Sequence, residues 1–434
     1  MDARPALIAP TEPATAAFRR YVLRALSLAL AALAAVTGFM LAYDAFGLFG
    51  TRVMALDRFP AAQRLQMNGD RVLKALHLAR ARPNVLLVGT SRTGDGFDPD
   101  GPALRTARAY NAGLAGSATP EHLAVLRFAQ GRAPLTRVVL VLDFETFVHP
   151  TGIPGDFARS AFAGADLGSG IFQHLWSTQA IGETFGLARQ LARGERLSHP
   201  FYVNGRYPLF RVSPAETRTA FLRESRLALS LYAAASLVAD GPAQDARFAA
   251  LGEALRALRT AGIAVDVAAS PVHAWRLELQ ERLGFAGAYD DWKRRLARLA
   301  ADLNGAPGTG QVRFFDFGVA APETTESLPA RAADPPTRFF VEASHFDPAL
   351  GEIVLARMGG EEAAQGFGAR LAPDTVEPHL AGSRAAYEAW RQARAEEVAL
   401  IARLVEEDPR TPAIRALAGR AVRPPSASPA SGRD

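Results

Sequence analysis

Two short blocks, far apart in the chain, carry the residue types of a nucleophile and its base. Gly89-Thr-Ser91-Arg92 follows directly on the apolar run Asn84-Val-Leu-Leu-Val-Gly89, and Glu342-Ala-Ser-His345 lies near the other end. The run is short, β-branched at two positions and bounded by Pro83 and Gly89, which predicts a buried parallel strand. A serine on the sharp turn at the carboxyl end of such a strand stands over the sheet edge, where open α/β sheets bind ligands. A histidine three residues after a carboxylate supplies a general base and a group to orient it. Together these parts predict attack by Ser91 on an acyl ester, with His345 taking the proton and Glu342 holding the ring. Asp347 is the fallback for the orienting group, and a backbone carbonyl would also orient the ring. A Ser/Thr-rich turn capping the next helix would use the same first block. A phosphate loop would also match the Gly89 and Gly94 spacing, but Asp95 stands where its lysine is needed.

Other residues near these blocks invite roles. Arg92, beside the nucleophile, would bind an anionic substrate group or form a surface ion pair. His273, in Ser270-Pro-Val-His-Ala-Trp275, follows a predicted strand and would line the cleft or sit in the core. His122 and His149 have no ligand-like spacing with a partner, so no metal site and no cofactor are expected.

The elements that must position these residues alternate. Ala61 to Arg80 reads as a helix, Ala107 to Ala112 as a short strand, and Pro120 to Gln130 as a helix capped by Thr119. Thr136 to Asp143 is the clearest central strand. Residues 148–225 are rich in Gly, Pro, Ser and aromatics and read as a long insertion near the site, a candidate lid. The apolar stretch from Leu227 is too short to span a bilayer and reads as a buried helix. Alternation resumes with helix 245–260, strand 263–269, helix 288–303 and strand 312–316. Such alternation implies a parallel sheet with helices on both faces. Residues 376–407 read as one polar C-terminal helix. Residues 1–17 and 408–434, rich in Pro and Ala, read as disordered.

The chain has 434 residues, a formal net charge of +5 and no cysteine. That length fits one large domain with appendages, here about 45–375. The missing cysteines exclude disulfides, thiol catalysis and thiolate metal sites. The basic residues are scattered rather than clustered, so no nucleic-acid partner is expected. Residues 25–43 carry no charge, while Arg19, Arg20 and Arg24 precede them. The run approaches the ~20 residues needed to cross a bilayer, so 18–44 reads as a transmembrane anchor. The arginines place the N-terminus inside and the main domain outside the cytoplasmic membrane, in the periplasm or its equivalent. A cleaved signal peptide is the rival reading.

Four blocks in order carry a family resemblance. They are the strand ending in Gly89-Thr-Ser91, then Tyr110-Asn-Ala-Gly113-Leu-Ala-Gly116, then the strand ending near Asp143, then Glu342-Ala-Ser-His345. In that order the chain resembles the SGNH (GDSL-like) hydrolase superfamily, and most of all its membrane-anchored bacterial members that acylate or deacylate envelope polysaccharide. The resemblance implies a three-layer α/β/α sandwich with a five-stranded parallel, flavodoxin-like sheet. It implies Ser91 as nucleophile, His345 as base and Glu342 as orienter, where the family more often has Asp. The Ser91 backbone N–H and Gly113 would supply oxyanion donors, with the Asn111 side chain either substituting for the family's Asn or serving only as a turn-former. The family's Gly-x-Asn-Asp block is replaced by Leu142-Asp143-Phe144-Glu145. The implied function is a serine esterase or O-acyltransferase acting on acylated carbohydrate, with a membrane acyl-donor protein as a partner. The alternative is a non-catalytic, membrane-tethered polysaccharide-binding or assembly factor on a degenerate form of the fold.

Overall fold

The computed structural model describes residues 12–49, 60–148, 155–193, 204–207, 209, 211–234, 241–360 and 366–421. Helix α1 (Glu12–Tyr43) leads, followed by α2 (Pro60–Ala81). Next come β1 (Val85–Val88), α3 (Ser91–Gly96), β2 (Ala109–Asn111), α4 (Thr119–Gln130) and β3 (Arg137–Leu142). Between β3 and β4 (Ala264–Ala269) lie α5 (Glu145–Val148), α6 (Gly155–Ala158), α7 (Leu167–Trp176), α8 (Thr178–Ala192), α9 (Pro214–Ala234) and α10 (Gly241–Thr260). The chain continues through α11 (Ala274–Leu283), α12 (Ala286–Gly305), β5 (Val312–Asp316), α13 (Pro348–Gly359) and β6 (Ala369–Leu371). It closes with α14 (Val376–Ala393), α15 (Ala395–Glu406) and α16 (Thr411–Ala421).

The sheet order is β2-β1-β3-β4-β5-β6. The first five strands run parallel and β6 pairs antiparallel with β5. The expected five-stranded parallel sheet is thus a mixed sheet of six. β6 is only Ala-Arg-Leu, too short for a period-two pattern to mark it. β1, β3 and β4 are almost wholly buried, which is why they read as continuous apolar runs. The chain leaves β1 toward β2 on one side and returns to β3 on the other. That reversal opens a crevice beyond the carboxyl ends of β1 and β3.

Other expectations change as well. The polar C-terminal segment is two helices, α14 and α15, and their Tyr387, Trp390, Ile401, Leu404 and Val405 are buried. Residues 411–421, expected to be disordered, form α16 with Ile414 and Ala418 buried. Composition alone hid this helix, because an Ala- and Pro-rich stretch shows its buried side only through the spacing of Ile414, Leu417 and Ala418. Residues 12–17 are already helical, while 1–11 and 422–434 lie outside the described residues. In the insertion at 148–225, α6, α7 and α8 pack on α2 rather than standing free as a lid. Thr119 does not cap α4 through its hydroxyl. Glu121 folds back to accept the Ala118 N–H at 3.0 Å instead.

Candidate active site

After β1 the chain turns at Gly89, where a Cβ would come within 2.7 Å of the Val141 carbonyl oxygen. The turn is therefore pressed against β3. Thr90 caps α3, its Oγ1 accepting the Arg92 N–H at 3.3 Å and donating to Asp143. Ser91 is the first residue of α3 and points outward. Arg92, about 100° further round the helix, points inward. Its guanidinium is buried on Asp143 at 2.8 Å and Glu145 at 3.3 Å. Arg92 therefore clamps the Ser91 turn to the end of β3 as a buried ion pair, neither at the surface nor open to solvent.

His345 lies 254 residues from Ser91 in sequence, yet its Nε2 is 2.8 Å from Ser91 Oγ. Its loop is closed by a bridge between Phe340 and Phe346 and by the Val341 N–H donating to the His345 carbonyl at 3.1 Å. Glu342 folds back over this turn. Its Oε1 is 2.5 Å from His345 Nδ1 and also accepts the His345 backbone N–H. One carboxylate thus fixes the ring's tilt and the proton on Nδ1, leaving Nε2 toward Ser91. Asp347 is engaged elsewhere, capping α13 and pairing with Arg211 at 2.6 Å. His273 is buried as the cap of α11, with Nε2 3.0 Å from the Glu326 carbonyl oxygen. Its own N–H donates to the Ala343 carbonyl at 3.2 Å. It sits behind the His345 loop rather than in the cleft, and burial holds it neutral, at about 4.

The charge around His345 is strongly negative. Burial opposes its protonation, but Glu342, and then Asp95 and Glu224, outweigh that and raise it to about 9. Glu342 is shifted the other way. Burial favours its neutral form, the nearby ring favours its charge, and the net effect is downward. Glu224 reaches the site through Ser344, whose hydroxyl donates to it at 2.9 Å, and is itself held by Arg276 at 2.6 Å.

Two groups at the site were not singled out from the sequence as site residues. Asp95 lies one turn after Ser91 on the same face of α3, with Oδ2 3.9 Å from His345 Nε2. Burial, with Glu342 adding to it, raises Asp95 to about 6. The signal was the four-residue spacing from Ser91, which means nothing until α3 is known to be a helix. Lys74 comes from α2, is fully buried, and donates to the Gly113 carbonyl. Its ammonium lies 3.8 Å from the centre of the Tyr207 ring. Burial lowers Lys74 to about 7 against the pull of Asp70 and Asp95. Nothing in the pattern of α2 distinguishes this lysine from a surface one.

The expected oxyanion donors are otherwise employed. The Gly113 N–H donates to Asn111 Oδ1 at 2.9 Å. Asn111 Nδ2 serves the carbonyls of Thr93 and Phe97, both at 2.8 Å, so it ties β2 to α3. Gly113 itself must be glycine, since a Cβ there would lie 2.8 Å from the Thr90 carbonyl oxygen. Of the expected donors, the Ser91 backbone N–H is the one with no acceptor among the described residues. Part of the 148–225 insertion does border the site, the Tyr207 N–H donating to the Gly94 carbonyl at 2.9 Å.

The arrangement can pass a proton from a serine hydroxyl to an imidazole whose far side is held by a carboxylate. Comparison of the chain with protein-family models, with curated proteins and with solved structures returns no match.

Proposed function

We propose that the chain is a membrane-anchored serine esterase or O-acyltransferase acting on acyl esters of extracytoplasmic polysaccharide. The observation that carries this is the Ser91 Oγ to His345 Nε2 distance of 2.8 Å, with Glu342 at 2.5 Å behind the ring. Ser91 Oγ attacks the ester carbonyl and its proton passes to His345 Nε2. Collapse of the tetrahedral adduct returns that proton to the leaving alkoxide and leaves an acyl-serine. Water or a sugar hydroxyl then attacks, giving its proton to His345, and collapse of the second adduct returns that proton to Ser91 Oγ as the acid or a new ester leaves. The four sequence blocks and the order of the parallel strands support a resemblance to the SGNH hydrolases. On that reading the parallel strands are a flavodoxin-like core within an α/β/α sandwich, and β6 is an added edge. α1 is long and apolar enough to be a membrane anchor or a signal sequence. On the anchor reading Arg19, Arg20 and Arg24 keep its start inside and the domain outside. A membrane acyl-donor protein would load the serine in the transferase version.

A non-catalytic polysaccharide-binding factor is the second reading. It is favoured by the Gly113 amide being spent on Asn111. A fluorophosphonate probe on the full chain in detergent separates the two. Labelling at Ser91, lost in both Ser91→Ala and His345→Ala, is the expected result. A folded protein that resists the probe at neutral and alkaline pH is the binding factor.

A further inference from the structure

Helix α1 changes surroundings along its length. In its first part the apolar side chains are bare, Leu28 being 72% exposed and Leu33 50%. Further on it is packed. Met40, with Ala45 and Phe46 just beyond the helix, is buried against Leu73 of α2, Leu175 of α7 and Leu187 of α8. Aromatic rings gather where the two stretches meet. Phe39 lies 4.6 Å from Phe185 and 4.8 Å from Tyr43, and Phe172 lies 5.0 Å from Trp176. Trp176 Nε1 donates to Thr37 Oγ1 of α1 at 2.9 Å. Phe172 and Phe185 are 58% and 59% exposed, and among the described residues only Leu227 joins them as an exposed large apolar side chain outside α1. Two such rings on one short hairpin, joined to α1 by a further aromatic layer, form a continuation of its bare surface.

We propose that α7 and α8 form a second membrane contact, pressing Phe172, Trp176 and Phe185 into the interfacial layer of the same bilayer that α1 crosses. This rests on the anchor reading of α1. Trp and Tyr gather at that depth because their rings are amphipathic, and Trp176 meets α1 at Thr37, just beyond the bare stretch. α2 turns Leu73 toward α1 and α7, and its neighbour Lys74 toward Gly113. α2 thus lies between the buried cluster that holds the end of α1 and the segment around Gly113 that packs on the Ser91 turn.

The chain contains no cysteine, so single reporters are simple to place. Leu28→Cys, Phe172→Cys, Phe185→Cys and Leu227→Cys variants of the full chain are labelled with a small polarity-sensitive fluorophore. They are then reconstituted in phosphatidylcholine vesicles holding lipids spin-labelled either near the headgroup or deep in the acyl chain. The expected result is deep quenching at 28, shallow quenching with blue-shifted emission at 172 and 185, and water-like, unquenched emission at 227. An unquenched reporter at 28 overturns the anchor reading itself. A quenched reporter at 28 with water-like emission at 172 and 185 overturns the hairpin contact alone. Blue-shifted but unquenched reporters at 172 and 185 assign the face to another protein and equally overturn the lipid contact.

Discussion

A base is useful only when it is neutral, and the group meant to act here is biased toward its charged form. His345 is raised to about 9 because Glu342, Asp95 and Glu224 outweigh its burial. Below that value the ring holds its proton and cannot accept one from Ser91. The rate of fluorophosphonate labelling should therefore rise with pH and level off near 9. Asp95→Asn removes one of the charges that favour the imidazolium, so the rising limb should move to lower pH. A limb that does not move would separate Asp95 from the ring. Glu342→Gln should move it further, since Glu342 is the largest attraction on the ring. It should also lower the plateau, by up to about 10⁴-fold if the carboxylate counts as much as its counterpart in the serine proteases. Ser91, Glu342 and His345 were legible in the sequence because each sits in a local pattern, a strand-turn or a carboxylate three residues before a histidine. Asp95 and Lys74 were not. Their relevance depends on which way a six-residue helix and a long helix face, and no local period records that.

At the scale of elements, the turn carrying Ser91 is held by a buried chain of charges. Arg92 joins Asp143 and Glu145, and Arg276 lies 3.7 Å from Glu145 and 2.6 Å from Glu224. The chain ends at Ser344, beside the histidine. Arg92→Met should strand two buried carboxylates and cost about 3–5 kcal/mol. Denaturant unfolding, with the exposed Arg105→Met as control, measures it. A cost no larger than the ~0–1 kcal/mol of a surface pair would mean that water reaches Asp143. β1 to β5 and the helices α2, α4, α10 and α12 were legible to within a few residues, because apolar runs and Gly or Pro punctuation mark them, whereas α7, α8 and the first half of α9 lie in the stretch read as an irregular insertion. The uses of Arg92 and Asn111 were not, because both are polar residues whose partners lie on other elements, the end of β3 and α5 for Arg92 and α3 for Asn111.

At the scale of the whole molecule, the uncharged run at residues 25–43 reads from sequence as one uniform anchor. The structure divides it. The part up to about Leu33 is bare, whereas Met40, Ala45 and Phe46 belong to the core layer shared with α2, α7 and α8. That layer is pinned by polar contacts as well: His77 Nε2 lies 2.7 Å from the Phe46 carbonyl oxygen, and Arg80 donates to the Leu48 carbonyl at 2.7 Å. Sequence could not show the division, because hydrophobic side chains facing lipid and facing protein have the same composition. The two ends of α1 should therefore respond differently to deletion. Removing residues 1–34 takes away, among the described residues, a helix stretch with no buried side chain and should yield a folded chain that needs no detergent. Removing residues 1–44 also takes Met40 from the buried cluster and uncovers Leu73, Leu175 and Leu187. At about 1.5–3 kcal/mol per fully buried apolar side chain, the methionine and the losses around it should cost several kcal/mol, seen as a lower melting temperature and aggregation. Equal melting temperatures for the two truncations would show that α1 contributes nothing to the core. Aggregation of the shorter deletion alone would show that the bare stretch is covered by protein rather than by lipid.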